Sequence, residues 1–421
     1  MNLKGPESLP TMVKVRQHFP GRTPLDIAAE VSKQMEALYR PINSGASVAV
    51  GVGSRGITNY AAIARAVIDE LKSAGAKPFL IPAMGSHGGA TPEGQARVLA
   101  DYGITEAAMG APVLAAMESA CVGQTESGRD VWFSKAALAA DHVFVINRVK
   151  PHTDFFGKLG SGCLKMLTIG CGKREGAANY HQNAVRDGYE QVLRELGGHI
   201  LRHLPILGGM AIVEDQRHQT AQLELLQPDN WIAREEALLE KARDFMPAIP
   251  FEDIDLLIVD RIGKNISGTG MDTNVIGRGV HEYTTLIGRE QTQAPHIKRI
   301  YVRGLTPETH GNAIGVGMAD FTHQRLVDAI DYDAMRINSL TSLTPHSAKV
   351  PIHFQSDREA IERALISAGV KDFRQARIIR IQDTLNLETI LISESMIAEI
   401  AGNEQLEVDS DHQSALDDLT E

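Results

Sequence analysis

The sequence predicts an α/β protein of two domains with mostly parallel sheets, and three observations carry that expectation. The chain has 421 residues, enough for two domains. Short apolar runs alternate with amphipathic stretches from about Ser47 onward, the order of strand and helix that builds a parallel sheet. The pattern breaks at FMPAIPFEDID, around Pro247, and then restarts. The expected division is 1–247, 251–402 and an acidic, mobile tail at 403–421. Open sheets of this kind bind ligands beyond the carboxyl ends of their strands. An active site is therefore expected in the cleft between the two domains.

The elements follow in order. Residues 1–22 read as an edge strand and loops, and Leu25 to Leu38 has helical spacing. Residues 46–56, ASVAVGVGSRG, form an apolar strand running into a Gly-rich turn. Thr58 is the expected N-cap of a helix from Asn59 to Ser73, with Ile63, Val67 and Leu71 on one face. Lys77–Pro82 is a second strand and leads into AMGSHGGATPEG. Thr91 as N-cap, Pro92 at the first helical position and Gly103 at the end frame the next helix. His142–Val149 is a short buried strand. Beyond Pro247, residues 255–262, 298–305, 374–381 and 387–393 read as strands, while Asn312–Ile330 and Asp357–Ala368 read as helices. The loops 53–58, 85–91 and 150–165 each follow a strand, so they are expected to meet at one edge.

Composition narrows the function classes. A net charge of −11 and no basic stripe argue against a nucleic-acid partner. The three cysteines, Cys121, Cys163 and Cys171, form neither a CxxC nor an even framework, which suits a reducing compartment. No apolar run approaches the ~20 residues of a membrane helix, and the first residues lack the apolar core of a signal peptide. The expectation is a cytoplasmic protein with no membrane partner.

The stretch from Asn147 to Gln182 holds His152, Lys165 and His181, with glycines at 157, 160, 162, 170, 172 and 176. So many glycines imply a backbone packed closely around something, read here as a cofactor cradle. Gly51, Gly53 and Gly56 match G-x-G-x-x-G between a strand and a helix. A dinucleotide site also needs an acidic residue at the end of the next strand, and KPFLIPAM offers none. A phosphate or carboxylate held by Gly53, Ser54, Arg55 and Thr58 at the helix N-terminus is the preferred reading. His87 lies on a post-strand loop, where a histidine is commonly plain polar surface. Pro151 fixes the approach to His152, and Asp154 is near enough to orient its ring. His181 sits in a helical stretch, where a satisfied histidine is the ordinary case. These three histidines have no H-x-x-x-H spacing, so an all-protein zinc site is not indicated. Lys165, in an apolar Gly-rich loop, is either a desolvated nucleophile or a snorkelling side chain.

Taken in order, GSRG with Arg55, GSHGG with His87, KPHTDFFGKLGSGCLK with His152 and Lys165, and NYH with His181 resemble the nickel-pincer lactate racemase family. That family racemises or epimerises 2-hydroxy acids. The resemblance implies nickel and a pyridinium bis-thiocarboxylate mononucleotide, the nickel-pincer nucleotide, tethered to a lysine through a thioamide. The matching tether is Lys165, with Lys158 as a rival, and the matching nickel ligand is His181. His87 and His152 match the two histidines that serve as general base and general acid, and Arg55 the contact to a substrate carboxylate or nearby cofactor group. In the second domain Asp272 and Asn274 match a family segment, Val280 stands where the family has a substrate-binding lysine, and Arg278 is a substitute for it. Lys264, Asn265 and His310 are further polar candidates.

The resemblance also has departures. Ser161-Gly162-Cys163-Leu164 lengthens the approach to Lys165, and no acidic residue precedes Arg55. These changes point away from lactate towards a sugar acid or a longer or dicarboxylic hydroxy acid. The implied partners are that 2-hydroxy acid and the cofactor-synthesis proteins. Two alternatives stay open, an NAD(P)-dependent oxidoreductase using 51–56 and a non-catalytic binder of an anionic metabolite.

Overall fold

The computed structural model describes residues 8–21, 23–38, 42–54, 56–280 and 294–409. The chain divides into two compact units, Arg22–Met246 and a second formed by Met1–Gly21 with Pro247–Glu421. Each is described by itself.

The first strand, β1 (Met12–Gln17), belongs to the second unit, where it pairs with strands near the end of the chain. The expected domain beginning at residue 1 is therefore corrected. The alternating buried and exposed residues of MVKVRQ suit an antiparallel position, and nothing in their local sequence names the partner.

The unit 22–246 starts with helix α1 (Ile27–Glu36), strand β2 (Ser47–Val52), helix α2 (Tyr60–Ser73), strand β3 (Lys77–Pro82) and helix α3 (Pro92–Asp101). The short helix α4 (Glu106–Met109), the hairpin β4 (Ser119–Gln124) and β5 (Asp130–Ser134), and the short helix α5 (Lys135–Leu138) lead to β6 (His142–Arg148). A helical turn, α6 (Cys163–Lys165), runs through a π-helical turn at Met166–Gly170 into α7 (Lys173–Asp187). Helix α8 (Tyr189–His203), the strands β7 (Ile206–Glu214) and β8 (Thr220–Leu226), and α9 (Trp231–Asp244) complete it. The sheet order is β3-β2-β6-β7-β8. All neighbours are parallel except β7 and β8.

Helices cover both faces of this sheet. One core layer joins it to residues of α7, α8 and α9, and the other to α1, α2 and α3. That double cover explains why these strands are apolar on both faces, as in VAVGV and VFVI. Strands β7 and β8 were absent from the sequence reading, because their apolar runs carry no turn chemistry that separates strand from buried helix.

The register places the carboxyl ends of three strands level. Val52 pairs with Pro82 on one side and with Ile146 on the other. The loops after β2, β3 and β6 therefore leave from one edge, as the alternation implied. The buried Tyr60 hydroxyl stitches that edge. It accepts from Gly53 N at 2.6 Å and donates to Ile146 O at 3.0 Å. Thr58 does not cap α2. The N-cap is Asn59, at φ +61 and without a side-chain cap bond.

The second unit contains β9 (Asp253–Val259), a short helix α10 (Thr273–Ile276), β10 (His296–Val302), β11 (Phe321–His323) and helices α11 (Gln324–Asp328) and α12 (Tyr332–Thr341). Strand β12 (Ile352–Phe354), helix α13 (Asp357–Ser367), β13 (Ile378–Ile381), β14 (Thr389–Ser393) and β15 (Leu406–Val408) follow. The sheet order is β12-β11-β10-β9-β13-β14-β1-β15, with its first five strands parallel. The helix expected over Asn312–Ile330 is not formed. Residues 321–323 pair with β10 instead, and Gly315 (φ +97) presses against the Thr269 carbonyl, where a Cβ would come within 1.8 Å. The tail expected at 403–421 begins with an ordered strand, since β15 pairs with β1; residues 410–421 lie outside the described residues. Among the described residues no helix is long and apolar enough to cross a membrane.

Removing the Tyr60 hydroxyl leaves one buried donor and one buried carbonyl without their partner. Tyr60→Phe is expected to lower unfolding stability by about 1–3 kcal/mol, read as a shift of the urea midpoint at unchanged slope. An unshifted midpoint would show that the stitch does not hold the edge.

Candidate active site

The site is built on the level edge of β2, β3 and β6. Ser54, just beyond β2, and His87, beyond β3, meet there, with Ser54 Oγ 2.5 Å from His87 Nδ1. His87 is exposed. After β6 the chain passes through Lys150-Pro151 to His152, a buried histidine. Its ring stacks on Phe155 with centroids 4.5 Å apart, and Phe155 stacks in turn on Tyr189 at 5.4 Å. Asp154 meets this ring through its backbone N–H, which donates to His152 Nδ1 at 3.0 Å. That bond leaves the proton of a neutral imidazole on Nε2. Nε2 in turn hydrogen-bonds Lys165 Nζ. The contact sets the lysine amine directly against the imidazole.

Lys165 stands at the end of α6, and this turn is held from below by Glu235 of α9. Glu235 is buried, and its carboxylate accepts from Leu164 N at 2.9 Å, from Trp231 Nε1 at 2.9 Å and from the Cys163 N–H. Gly162 is needed for this approach, because a Cβ there would lie 1.9 Å from Glu235 Oε1. Asn147 Nδ2 donates to Gly162 O at 2.8 Å and ties the turn to the end of β6. Burial raises the Glu235 carboxyl to about 7, against the hydrogen bonds from Leu164, Trp231 and Cys163 that favour its ionised form.

The glycines of this stretch were expected to cradle a ligand. They are filled by the protein itself. Gly157 packs on Glu190, Gly160 on the Lys150 carbonyl, Gly170 on the Ala83 carbonyl, Gly172 on the Thr168 carbonyl and Gly176 on Trp132 and that same Thr168 carbonyl. Their smallness draws chain segments together at the edge. Lys158, the rival tether, has an exposed side chain, while its backbone N–H bonds Glu190. His181 is half-buried on α7, edge-on to Tyr180 with centroids 5.4 Å apart. Burial pushes the Cys171 thiol up to about 12 and the Cys163 thiol well above its usual value, so neither is a ready thiolate.

Gly53 N–H is taken by Tyr60, Thr58 N–H donates to Glu214 Oε1 at 2.7 Å, and Thr58 Oγ1 donates to the His218 carbonyl. The protein's own carboxylate, itself bonded to Arg148, occupies the place assigned to a phosphate. Gly51 lies near the end of β2, against Val145 and Ala83. Arg55 lies outside the described residues. Arg278, Lys264, Asn265 and His310 belong to the other unit. There Arg278 pairs with Asp320 and bonds the Met318 carbonyl, Lys264 bonds Asn338, and Asn265 accepts from Thr306. His310 ends a helical turn at φ +48. Asp272 caps α10 through Asn274 N. Among the described residues no group of three or more His, Cys, Asp or Glu side chains is placed to hold a metal ion. Glu235, Lys173 and Gln95 escaped the sequence reading, since nothing local distinguishes them from helix-surface residues.

The Glu235 carboxyl titrates near 4.5 in an unfolded chain and near 7 when folded. Between these values the folded protein keeps a proton that the unfolded chain has lost, so stability falls as pH rises across the window. Wild type is expected to lose roughly 3 kcal/mol relative to Glu235→Gln between pH 4.5 and 7, measured by urea unfolding of both. A gap that stays constant with pH would contradict this.

Comparison with known proteins places this geometry in a wider setting. No curated protein matches the chain. In fold it is similar to the lactate racemase apoprotein of Thermoanaerobacterium thermosaccharolyticum, with a TM-score of 0.51 and 12% identity over 89% of this chain and 98% of that one. It is also similar to a crystal structure of a Thermotoga maritima protein, with a TM-score of 0.50 and 14% identity over 78% and 84% of the two chains. At these identities the likeness is one of fold, a lactate-racemase-like α/β architecture. The family described as a domain of unknown function, DUF362, matches residues 50–279, more than half of the sequence, and the chain belongs to that family.

Proposed function

We propose that this protein is a racemase or epimerase acting at C2 of a 2-hydroxy acid, with nickel held in a lysine-tethered pyridinium bis-thiocarboxylate mononucleotide. The observation that carries the reading is the Lys165 amine set against His152 Nε2 at the strand edge, in a chain of lactate-racemase-like fold. The fit to such a group rests on the chemistry of the donors. A metal held mainly by a tethered organic ligand asks little of the protein beyond one acylatable amine and one imidazole. Lys165, hydrogen-bonded to His152 Nε2, offers the amine, and His181 offers the imidazole. The absence of a three-residue metal cluster among the described residues is compatible with that division.

When bound, the group would supply hydride-acceptor chemistry towards C2 of the substrate, with Lys165 and His181 as the residues that would hold it. The chain's own residues handle the proton. In this reading His87 and His152 exchange the proton of the substrate hydroxyl, one on each side of a planar keto acid. His152 Nδ1 is occupied by Asp154 N–H, so Nε2 is its working nitrogen. His87 has Nδ1 on Ser54, and in this reading its Nε2 is the nitrogen assigned to the substrate hydroxyl. Phe155 holds the His152 ring plane, and Glu235 holds the turn of the tether. Arg55 remains the proposed contact for the substrate carboxylate. The bonding of Arg278 to Asp320 makes it a weaker candidate than Arg55, and Lys264 a secondary one. The proposed partners are a 2-hydroxy acid larger than lactate and the proteins that make the cofactor.

Co-production with cofactor-synthesis proteins is expected to give about one nickel per chain and a mass increase on the peptide containing Lys165. Lys165→Ala is expected to lose both, and His87→Ala and His152→Ala to lose C2 epimerisation by at least ~100-fold while keeping the mass increase. Protein carrying neither nickel nor a modified lysine would overturn the proposal.

A further inference from the structure

Lys173, eight residues beyond Lys165, has no solvent exposure. Its backbone sits at φ +57, a region that side chains other than Gly, Asn and Asp rarely adopt. Burial lowers its ammonium to about 8. A methionine would fill the same space without a buried charge. The lysine reaches two groups. Nζ donates to Pro82 O, the last carbonyl of β3, at 2.6 Å, and lies 3.5 Å from Gln95 Oε1. Gln95, on α3, is also without exposure, and its Nε2 donates to Gly85 O at 2.9 Å and to His87 O at 3.2 Å.

The chemistry of these partners dictates how the amide is turned. A lysine ammonium only donates, so the amide atom facing it is oxygen. Backbone carbonyls only accept, so the atom facing Gly85 and His87 is nitrogen. Both ends agree on one orientation, and Lys173 enforces it. The loop so held would not keep its shape unaided. Gly85, Gly88, Gly89 and Ala90 all have positive φ. Gly88 lies so close to the backbone of Gly94 and Gln95 that a Cβ would be 2.7 Å from the Gly94 carbonyl carbon. On the other side of His87, Ser54 Oγ holds ring Nδ1. Backbone and ring of His87 are therefore gripped from two directions.

We propose that Lys173 and Gln95 are positioning residues for His87: the lysine fixes the orientation of the buried amide, and the amide holds the loop so that the His87 ring meets Ser54. The inference rests on His87 being an acid/base group of the proposed function. Neither residue touches a substrate, and both act through the loop.

The test reads the ring itself, in the full-length protein without cofactor. With 15N-labelled histidine, wild type should show His87 in one dominant tautomer. Ser54→Ala, which removes the ring partner directly, gives the spectrum of a released ring. Lys173→Met and Gln95→Met are expected to move the His87 signals to that released position while the His199 and His203 signals on α8 stay in place. Gln95→Glu keeps an acceptor for Lys173 but loses the donor to the loop, and should release the ring as well. A merely space-filling role would lower the melting temperature and leave the tautomer as in wild type, and that result overturns the proposal. Should the variants fail to fold, the unmutated protein decides. The Gln95 side-chain amide protons should exchange at least ~100-fold more slowly than those of an exposed glutamine, and exchange at the exposed rate overturns it. C2 exchange of 2-hydroxy acids by cofactor-loaded wild type is scored separately. If it is absent while the ring shifts are seen, the proposed reaction falls and the positioning stands.

Discussion

The buried carboxylate of Glu235 at the start of α6 is the contact on which the site edge depends. Three N–H donors converge on it, from Cys163, Leu164 and the Trp231 indole, so a helical turn begins at a place that has no side-chain cap of its own. The approach is so close that position 162 must be glycine. From that anchored start the chain runs through Lys165, the π-helical turn and α7 to His181 as one broken helix. Ionising a carboxyl in this position is unfavourable, which the raised Glu235 value reflects. Such a device is worth keeping where the direction of one side chain matters, and the side chain it directs is Lys165.

The rest of the edge follows the same rule, that polar groups of the chain are used to hold the chain. Tyr60 spans the ends of β2 and β6, Glu214 takes the free N–H of the 53–58 turn, and Gln95 takes the carbonyls of the His87 loop. Groups that the sequence offers as ligand donors are spent internally. Among the described residues, the edge also carries the His87 ring backed by Ser54, and the buried His152 bonded to Lys165 and backed by Phe155 and Asp154 N–H.

How far the sequence could be read depended on the range of each interaction. The strands Lys77–Pro82 and His142–Arg148, the Thr91 cap with Pro92, and the meeting of three loops at one edge were legible, because alternation, capping and connection handedness act over a few residues. The pairing of Ser54 with His87 and of His152 with Lys165 was not stated by any spacing, though the residues themselves stood out. Asn312–Ile330 was misread as a helix, since the close backbone contacts of Gly315 and Gly317 and the pairing of Phe321–His323 with β10 are long-range facts.

What the sequence by itself determined was the α/β class and the break near Pro247, both consequences of local pattern and residue chemistry. What only the tertiary structure decided was the use of each small or polar residue. The glycines of 157–176 receive Glu190, Glu235 and backbone carbonyls rather than a ligand. Strand Met12–Gln17 joins a sheet built mostly from the far end of the chain. Lys173, an ordinary lysine in sequence, becomes a buried donor behind the His87 loop. In each case the physical reason is that a buried donor, acceptor or van der Waals gap must be matched, and the atom that matches it comes from a residue far away in the chain.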